Sequence, residues 1–211
     1  MNELMMRKAG TNVFAGGTVE TVAQEHSPAE KLRKPVSTIV AAATIVAIWA
    51  VAPTRNVYGR LFETEVSFLL VCAAVLGRGW CSLYISGRKN TELCETGPYS
   101  VCRNPLYLFS SLGLAGVLLA THRPAVAAGV WMLFWVFYIF VIRGEEARLY
   151  RRFGDEFARY CSRVPRVGVR FSTYMSAPTI LVTLRPLLRA FADVSWFFIA
   201  WMLVYAATSV T

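Results

Sequence analysis

Apolar residues in this chain gather into long, nearly uncharged runs separated by short polar or proline-marked stretches. Residues 36–52, VSTIVAAATIVAIWAVA, carry no charge and stop at Pro53 and Arg55. A second run, residues 64–86, is interrupted by Arg78 within GRGW. A shorter third run follows Pro105 and reaches residue 120. THRP then forms a tight polar turn, and residues 124–142, PAVAAGVWMLFWVFYIFVI, are the strongest run of all. The last is DVSWFFIAWMLVYAATS, residues 193–209. A helix needs about 20 apolar residues to cross the hydrocarbon of a bilayer. The pattern therefore predicts an all-α integral membrane protein, a polytopic helical bundle of about five transmembrane helices with a cytoplasmic amphipathic helix.

That amphipathic helix is expected over residues 144–161, GEEARLYRRFGDEFARYC. Leu149, Phe153, Phe157 and Cys161 recur every four residues, while Arg148, Arg151, Arg152 and Arg159 cover much of the remainder. The pattern fits a helix lying at the membrane surface or capping the bundle. Gly154 either ends its first half or permits a close approach. Residues 177–190 hold a weaker amphipathic stretch around Pro186. Residues 1–35 are polar and poorly periodic and read as a mobile cytoplasmic tail; residues 36–209 read as one membrane-embedded domain.

Composition agrees with this. Of 211 residues, 55% are hydrophobic and only 17% charged, against about 25% charged in a typical soluble chain. The net charge of +9 lies between apolar runs, where anionic lipid head groups are the natural partners, and does not argue for nucleic acid. Lys and Arg are distributed unevenly: eighteen on the side of the N-terminal tail, the 87–104 loop and the 143–192 segment, and three on the other. By the positive-inside rule the first set faces the cytoplasm. Five cysteines without a CxxC pair suggest neither a disulfide framework nor a zinc site. With only His26 and His122 besides, no metal is expected. Cys102 reads as the most exposed thiol. Ser110, Ser111 and the Gly113/Gly116 pair favour close helix packing. Arg78 reads as snorkelling to the interface or capping a neighbouring helix.

Two features carry candidate chemistry. In GPYSVCRNPLYLF, residues 97–109, Asn104 is a good N-cap and Pro105 suits a first helical turn. A helix starting there offers partial positive charge and free N–H groups to an anion, with Arg103 beside it. Tyr99 and Tyr107 supply flat walls with polar tips. The plainer reading is an N-capped span with a basic flank. The second feature is Glu145-Glu146 after Arg143. Ionisable residues at membrane depth are functional suspects, although two glutamates in the first turn of a helix over 144–161 would also be favoured by its dipole. A positive seat and an acidic pair at the same leaflet suit a ligand with one anionic group and one cationic centre, such as S-adenosylmethionine.

The run GPYSVCRNPLY followed by EEARLYRRFGDEFARYCSRVPR resembles the isoprenylcysteine carboxyl methyltransferase family, which in turn resembles membrane phospholipid methyltransferases. The resemblance covers roughly residues 77–167. It implies an integral membrane methyltransferase binding S-adenosylmethionine at the cytoplasmic side. It assigns cofactor binding to Thr91, Glu92, Leu93, Cys94, Tyr99, Asn104, Pro105, Leu106, Tyr107 and Glu145. Glu146 is the partner of Glu145 and could deprotonate an amine acceptor; Arg143 is the nearest candidate for a substrate-contacting arginine. One position departs from the pattern: the family's histidine is Asn104 here, which removes a titratable imidazole and keeps a capping amide.

Methyl transfer to an ionised carboxylate needs no general base, so the absence of a catalytic histidine does not count against it. The expected acceptor is a lipophilic molecule, lipid-like or prenylated, arriving from the bilayer, with the gap between the third and fourth spans as its entry. The alternatives are a membrane reductase with a nicotinamide cofactor, for which no Gly-rich fingerprint is present, and a non-catalytic transport or assembly protein, for which no inverted repeat is visible.

Overall fold

The computed structural model describes residues 56–86, 92–180 and 182–209. The expected tail, the first apolar run and Thr91 lie outside the described residues. Among those described the chain is helical throughout, without strands. Helix α1 spans Val57–Ile85, α2 is the single turn Pro98–Val101, α3 spans Pro105–Leu119, α4 Pro124–Arg163 and α5 Leu184–Ser209, with a 3₁₀ turn at Phe171–Thr173. Three of these, α1, α4 and α5, are long and apolar enough to cross a membrane; α3 is a shorter apolar helix of 15 residues.

Helix α1 starts seven residues before the apolar run expected at 64 because Asn56 caps it, its Oδ1 accepting from the Tyr58 N–H at 3.0 Å. It runs toward the basic end of the bundle, the end that the Lys and Arg bias assigns to the cytoplasm. Helix α3 returns alongside it, and the two form the most extensive helix seam among the described residues. A side chain on Gly116 would come within 2.7 Å of the Ser67 carbonyl oxygen, and one on Gly77 would collide with the Phe109 ring. Small residues here let backbones approach, the main route to helix association where lipid removes the hydrophobic drive. Helix α5 packs on the same pair, and its Trp201 Nε1 donates to Ser67 Oγ at 2.8 Å. Pro186 falls in the first turn of α5, where its missing N–H is harmless, so residues 184–190 of the expected amphipathic stretch run straight into the last span.

The largest departure from the sequence reading is α4. The boundary expected between residues 142 and 144 is absent: the helix of Pro124–Arg163 runs through it unbroken and kinks further on, at Gly154, so its part before the kink is about 45 Å long at 1.5 Å per residue. The charges at Arg143–Glu146 mark where the helix leaves hydrocarbon, not where its hydrogen-bond ladder stops. The only non-helical residue within it is Gly154, at φ 49° and ψ −122°. Nothing lies within 4 Å of where its Cβ would be, so Gly154 serves backbone conformation and not close approach. Beyond it, Phe157 and Tyr160 are buried with Val164 and pack against Leu93, Leu149, Phe153 and Cys161. Of the expected apolar face, Phe157 is thus buried, while Leu149, Phe153 and Cys161 are partly covered.

Candidate functional site

The basic end is held together by bonds between segments far apart in sequence. The chain after α4 folds back over α2: Arg103 N–H donates to the Pro165 carbonyl (2.9 Å), Arg170 N–H to that of Val101 (3.0 Å) and Gly97 N–H to that of Met175 (2.7 Å). Gly97 sits at φ 60°, and a Cβ there would meet the Tyr84 ring at 2.3 Å. Tyr160 donates its hydroxyl to the Tyr99 carbonyl at 2.7 Å. These contacts bring the start of α3 against the middle of α4.

Asn104 occupies the N-cap position of α3, and its carbonyl accepts from the Tyr107 and Leu108 N–H groups. Its side chain does not cap. The amide nitrogen donates to Glu146 Oε1 at 3.3 Å and to the Arg166 carbonyl at 3.0 Å. Both partners are acceptors, which fixes the NH₂ end toward them. The acidic pair therefore outcompetes the helix terminus for this side chain.

The two glutamates play different parts. Glu146 is buried and its two oxygens are committed: Arg166 Nε lies 2.7 Å from Oε2, and Arg103 Nε lies 3.3 Å from Oε1 as an ion pair without hydrogen-bond alignment. Glu145 is more open. Its Oε2 accepts from the Tyr107 hydroxyl at 2.8 Å, and Arg148 stands 3.7 Å from Oε1. Tyr107 is steadied by the Tyr138 ring, 5.1 Å between centroids, and Tyr138 stacks on Phe134 at 4.1 Å. Neither glutamate lies in the first turn of a helix, so the dipole explanation for the pair does not hold.

The other expected site residues divide. Tyr99 is buried and its hydroxyl has no hydrogen-bond partner; burial is the main cause holding that phenol well above its ordinary pKa. Leu106 and Cys94 pack around the Tyr84–Tyr99–Cys81 cluster, and the Cys94 thiol donates to the Tyr84 carbonyl at 3.8 Å. Pro105 is buried at the first turn of α3, while Leu93 packs against the far third of α4. Glu92 is exposed. Arg143 is also exposed and takes no part in the cluster; the arginines that meet the acidic pair are Arg103, Arg166 and Arg148. Arg166 stands in the Val-Pro-Arg stretch, 20 residues from Glu146, and nothing in local periodicity announces the contact. Cys102 is buried, contrary to its exposed reading, since the returning chain covers it.

A cleft of about 490 Å³ is lined by Glu95, Ser100, Tyr160, Arg163, Arg170 and Met175 among others, and none of Asn104, Tyr107, Glu145 and Glu146 lines it. Among the described residues no group of three or more His, Cys, Asp or Glu is placed to hold a metal ion.

Residues 37–156 match the phospholipid methyltransferase family, more than half of the chain. The chain belongs to that family. Two relatives are similar over much of its length. The nickel-cobalt-cadmium resistance protein NccN of Alcaligenes xylosoxydans xylosoxydans is 44% identical over 63% of this chain and 62% of its own length. The cobalt-zinc-cadmium resistance protein CzcN of Cupriavidus metallidurans is 39% identical over 72% of this chain and 76% of its own. The match thus spans less than two thirds of the first relative. No solved structure matches significantly. Family membership points to a membrane methyltransferase.

Proposed function

We propose that this protein is an S-adenosylmethionine-dependent methyltransferase that acts on a lipid-like or prenylated acceptor at a carboxylate. The observation that carries the reading is the Tyr107–Glu145 hydrogen bond, which joins the start of α3 to the acidic pair of α4 inside a chain of this family. The residues present fit a cationic ligand. Glu145 keeps one oxygen only loosely engaged, and the Tyr99 hydroxyl is buried without a partner.

In this reading Glu145 holds the positive part of the cofactor, and Tyr99, Leu106 and Tyr107 line its seat. Glu146 keeps Arg103, Asn104 and Arg166 in register and is not free to act as a base. When bound, S-adenosylmethionine supplies a methyl group. An ionised carboxylate acceptor would have no proton to lose, so these residues would need to orient it and supply no base. The protein's part is to align and to exclude water, effects worth about 7–11 kcal/mol of barrier when alignment is good. The relatives' names speak of metal resistance; we assign any such contribution of this chain to modifying a membrane component and not to holding the metal.

Isothermal titration with S-adenosylmethionine, on protein in nanodiscs, tests the reading. Saturable binding in the micromolar range is expected. Absence of heat at millimolar cofactor, with the fold intact by circular dichroism, overturns it.

A further inference from the structure

Arg78 sits seven residues before the basic end of α1, inside a membrane-spanning helix. It neither snorkels outward nor caps a neighbour. Its guanidinium turns into the bundle, donating through one terminal nitrogen to Ser110 Oγ of α3 and lying over the Phe197 ring of α5, 5.9 Å from the centroid. Its Nε is buried and has no partner. Asp193, Tyr138 and Tyr99 are among its electrostatic neighbours, yet no carboxylate among the described residues reaches ion-pairing distance. A guanidinium that is half-buried and lacks a counter-ion is costly at membrane depth and binds anions strongly when one arrives.

Its position gives the charge a use. Ser110 lies one helical turn beyond Tyr107, a rise of about 4.5 Å, so Arg78 stands one turn deeper than the Tyr107–Glu145 contact. Tyr138 belongs to both places, packing on Tyr107 and neighbouring Arg78. Access also fits. Helix α4 packs on α3, and α5 packs on α1 and α3, but among the described residues α4 and α5 form no packed interface with each other. Between α3 and α4, the expected entry, Trp131 Nε1 donates to the Ser111 carbonyl at 3.2 Å and Tyr107 is bonded to Glu145, so these two helices are joined at both points. Among the described residues, the open side of the Arg78 region is therefore the slot between α4 and α5.

We infer that Arg78 is the acceptor-recognition residue: its Nε and free terminal N–H groups take the carboxylate of a lipophilic acceptor that enters between α4 and α5. The inference rests on the proposed methyl transfer for its purpose but not for its measurement. Arg78 offers donors in a fixed fork that matches a carboxylate edge. The role first expected of Arg143 passes to a residue one membrane turn below the acidic pair.

The probe is cis-parinarate against its methyl ester, read by energy transfer from the protein's tryptophans, with Trp80 two residues from Arg78 on α1. Both are titrated into zwitterionic nanodiscs at pH 8.5, where the carboxyl is ionised, with empty nanodiscs subtracted. The wild type is expected to bind the carboxylate about tenfold or more tightly than the ester. Arg78→Gln is expected to bring that ratio to about one while S-adenosylmethionine affinity stays within about twofold. A merely structural arginine would shift thermal stability and leave the ratio alone. Should Arg78→Gln not fold, Arg78→Lys keeps the charge without the fork and is expected to lower the ratio several-fold. An unchanged ratio in the variant, or no preference in the wild type, overturns the inference. Stronger displacement of the probe by octadecyl phosphate than by oleate overturns the choice of carboxylate. Loss of cofactor binding in the wild type, with the ratio intact, counts against the proposed function and not against the anion site.

Discussion

The α3–α4 hairpin has a carboxylate paired with a basic side chain at each end, and the two ends are built differently. At the far turn, Glu63 of α1 meets the His122 imidazole at 3.0 Å, and the reversal itself is closed by local bonds: Thr121 N–H to Leu118, His122 N–H to Leu119 and Ala127 N–H to Arg123. His122 adopts φ 55° to make the corner. At the basic end, Glu145 and Glu146 draw on Arg103, Asn104 and Tyr107 at the start of α3 and on Arg166 after α4, two segments far apart in sequence. A turn needs only its neighbours. A site that must hold opposite charges at separate points needs elements that have already crossed the membrane and returned.

Breaking the larger network should cost most. Glu146→Ala leaves Arg103 and Arg166 without their shared anion, and loss of one partner of a buried pair costs about 3 kcal/mol or more. In detergent this should lower the thermal midpoint by roughly 5–10 °C. A midpoint within a degree of wild type would mean that the two ends are equally dispensable. Glu145→Gln should act on binding instead, weakening S-adenosylmethionine by about tenfold, near 1.4 kcal/mol, with little change in midpoint. Unchanged titration would place the cofactor elsewhere, with the cleft beside Ser100 and Tyr160 the next location to probe. At the opposite turn, Glu63→Gln should cost about 1 kcal/mol of stability and leave cofactor affinity within about twofold. A comparable loss of affinity there would erase the distinction between the ends. The smallest effect is expected from Tyr107→Phe, which removes one hydrogen bond to Glu145 while keeping the ring against Tyr138. Cofactor affinity should fall about threefold, and the ring current on Tyr138, followed by NMR, should stay as it was.

Much of the fold is readable before any coordinates, because spanning helices advertise themselves as uncharged runs. The starts of α3 and α4 at Pro105 and Pro124 coincide with proline, which has no N–H to lose there. The Gly113/Gly116 pair meets the tight packing that small residues suggest. Hydropathy fails where a helix outlasts the membrane. At Arg143–Glu146 the polarity changes and the backbone ladder does not, so one helix looks like two. Side-chain pairing fails for another reason. Asn104 has the chemistry of a cap, but its amide is claimed by Glu146, 42 residues away, and that competition is invisible to a local reading. Arg78 is the sharpest instance: snorkelling is the usual fate of an arginine on a spanning helix, and only the position of Ser110 and Phe197 shows it turned inward.

Asn104 has one more consequence. Where the resembling family carries imidazole, this chain places a carboxamide that gives the same two bonds in acid and in neutral solution. Histidine is the side chain whose ordinary charge change falls between about pH 5 and 8, and the one histidine among the described residues is His122, at the turn between α3 and α4. Asn104 therefore brings no protonation step of its own to the start of α3, and its two bonds should survive an acid challenge that would charge an imidazole in the same place.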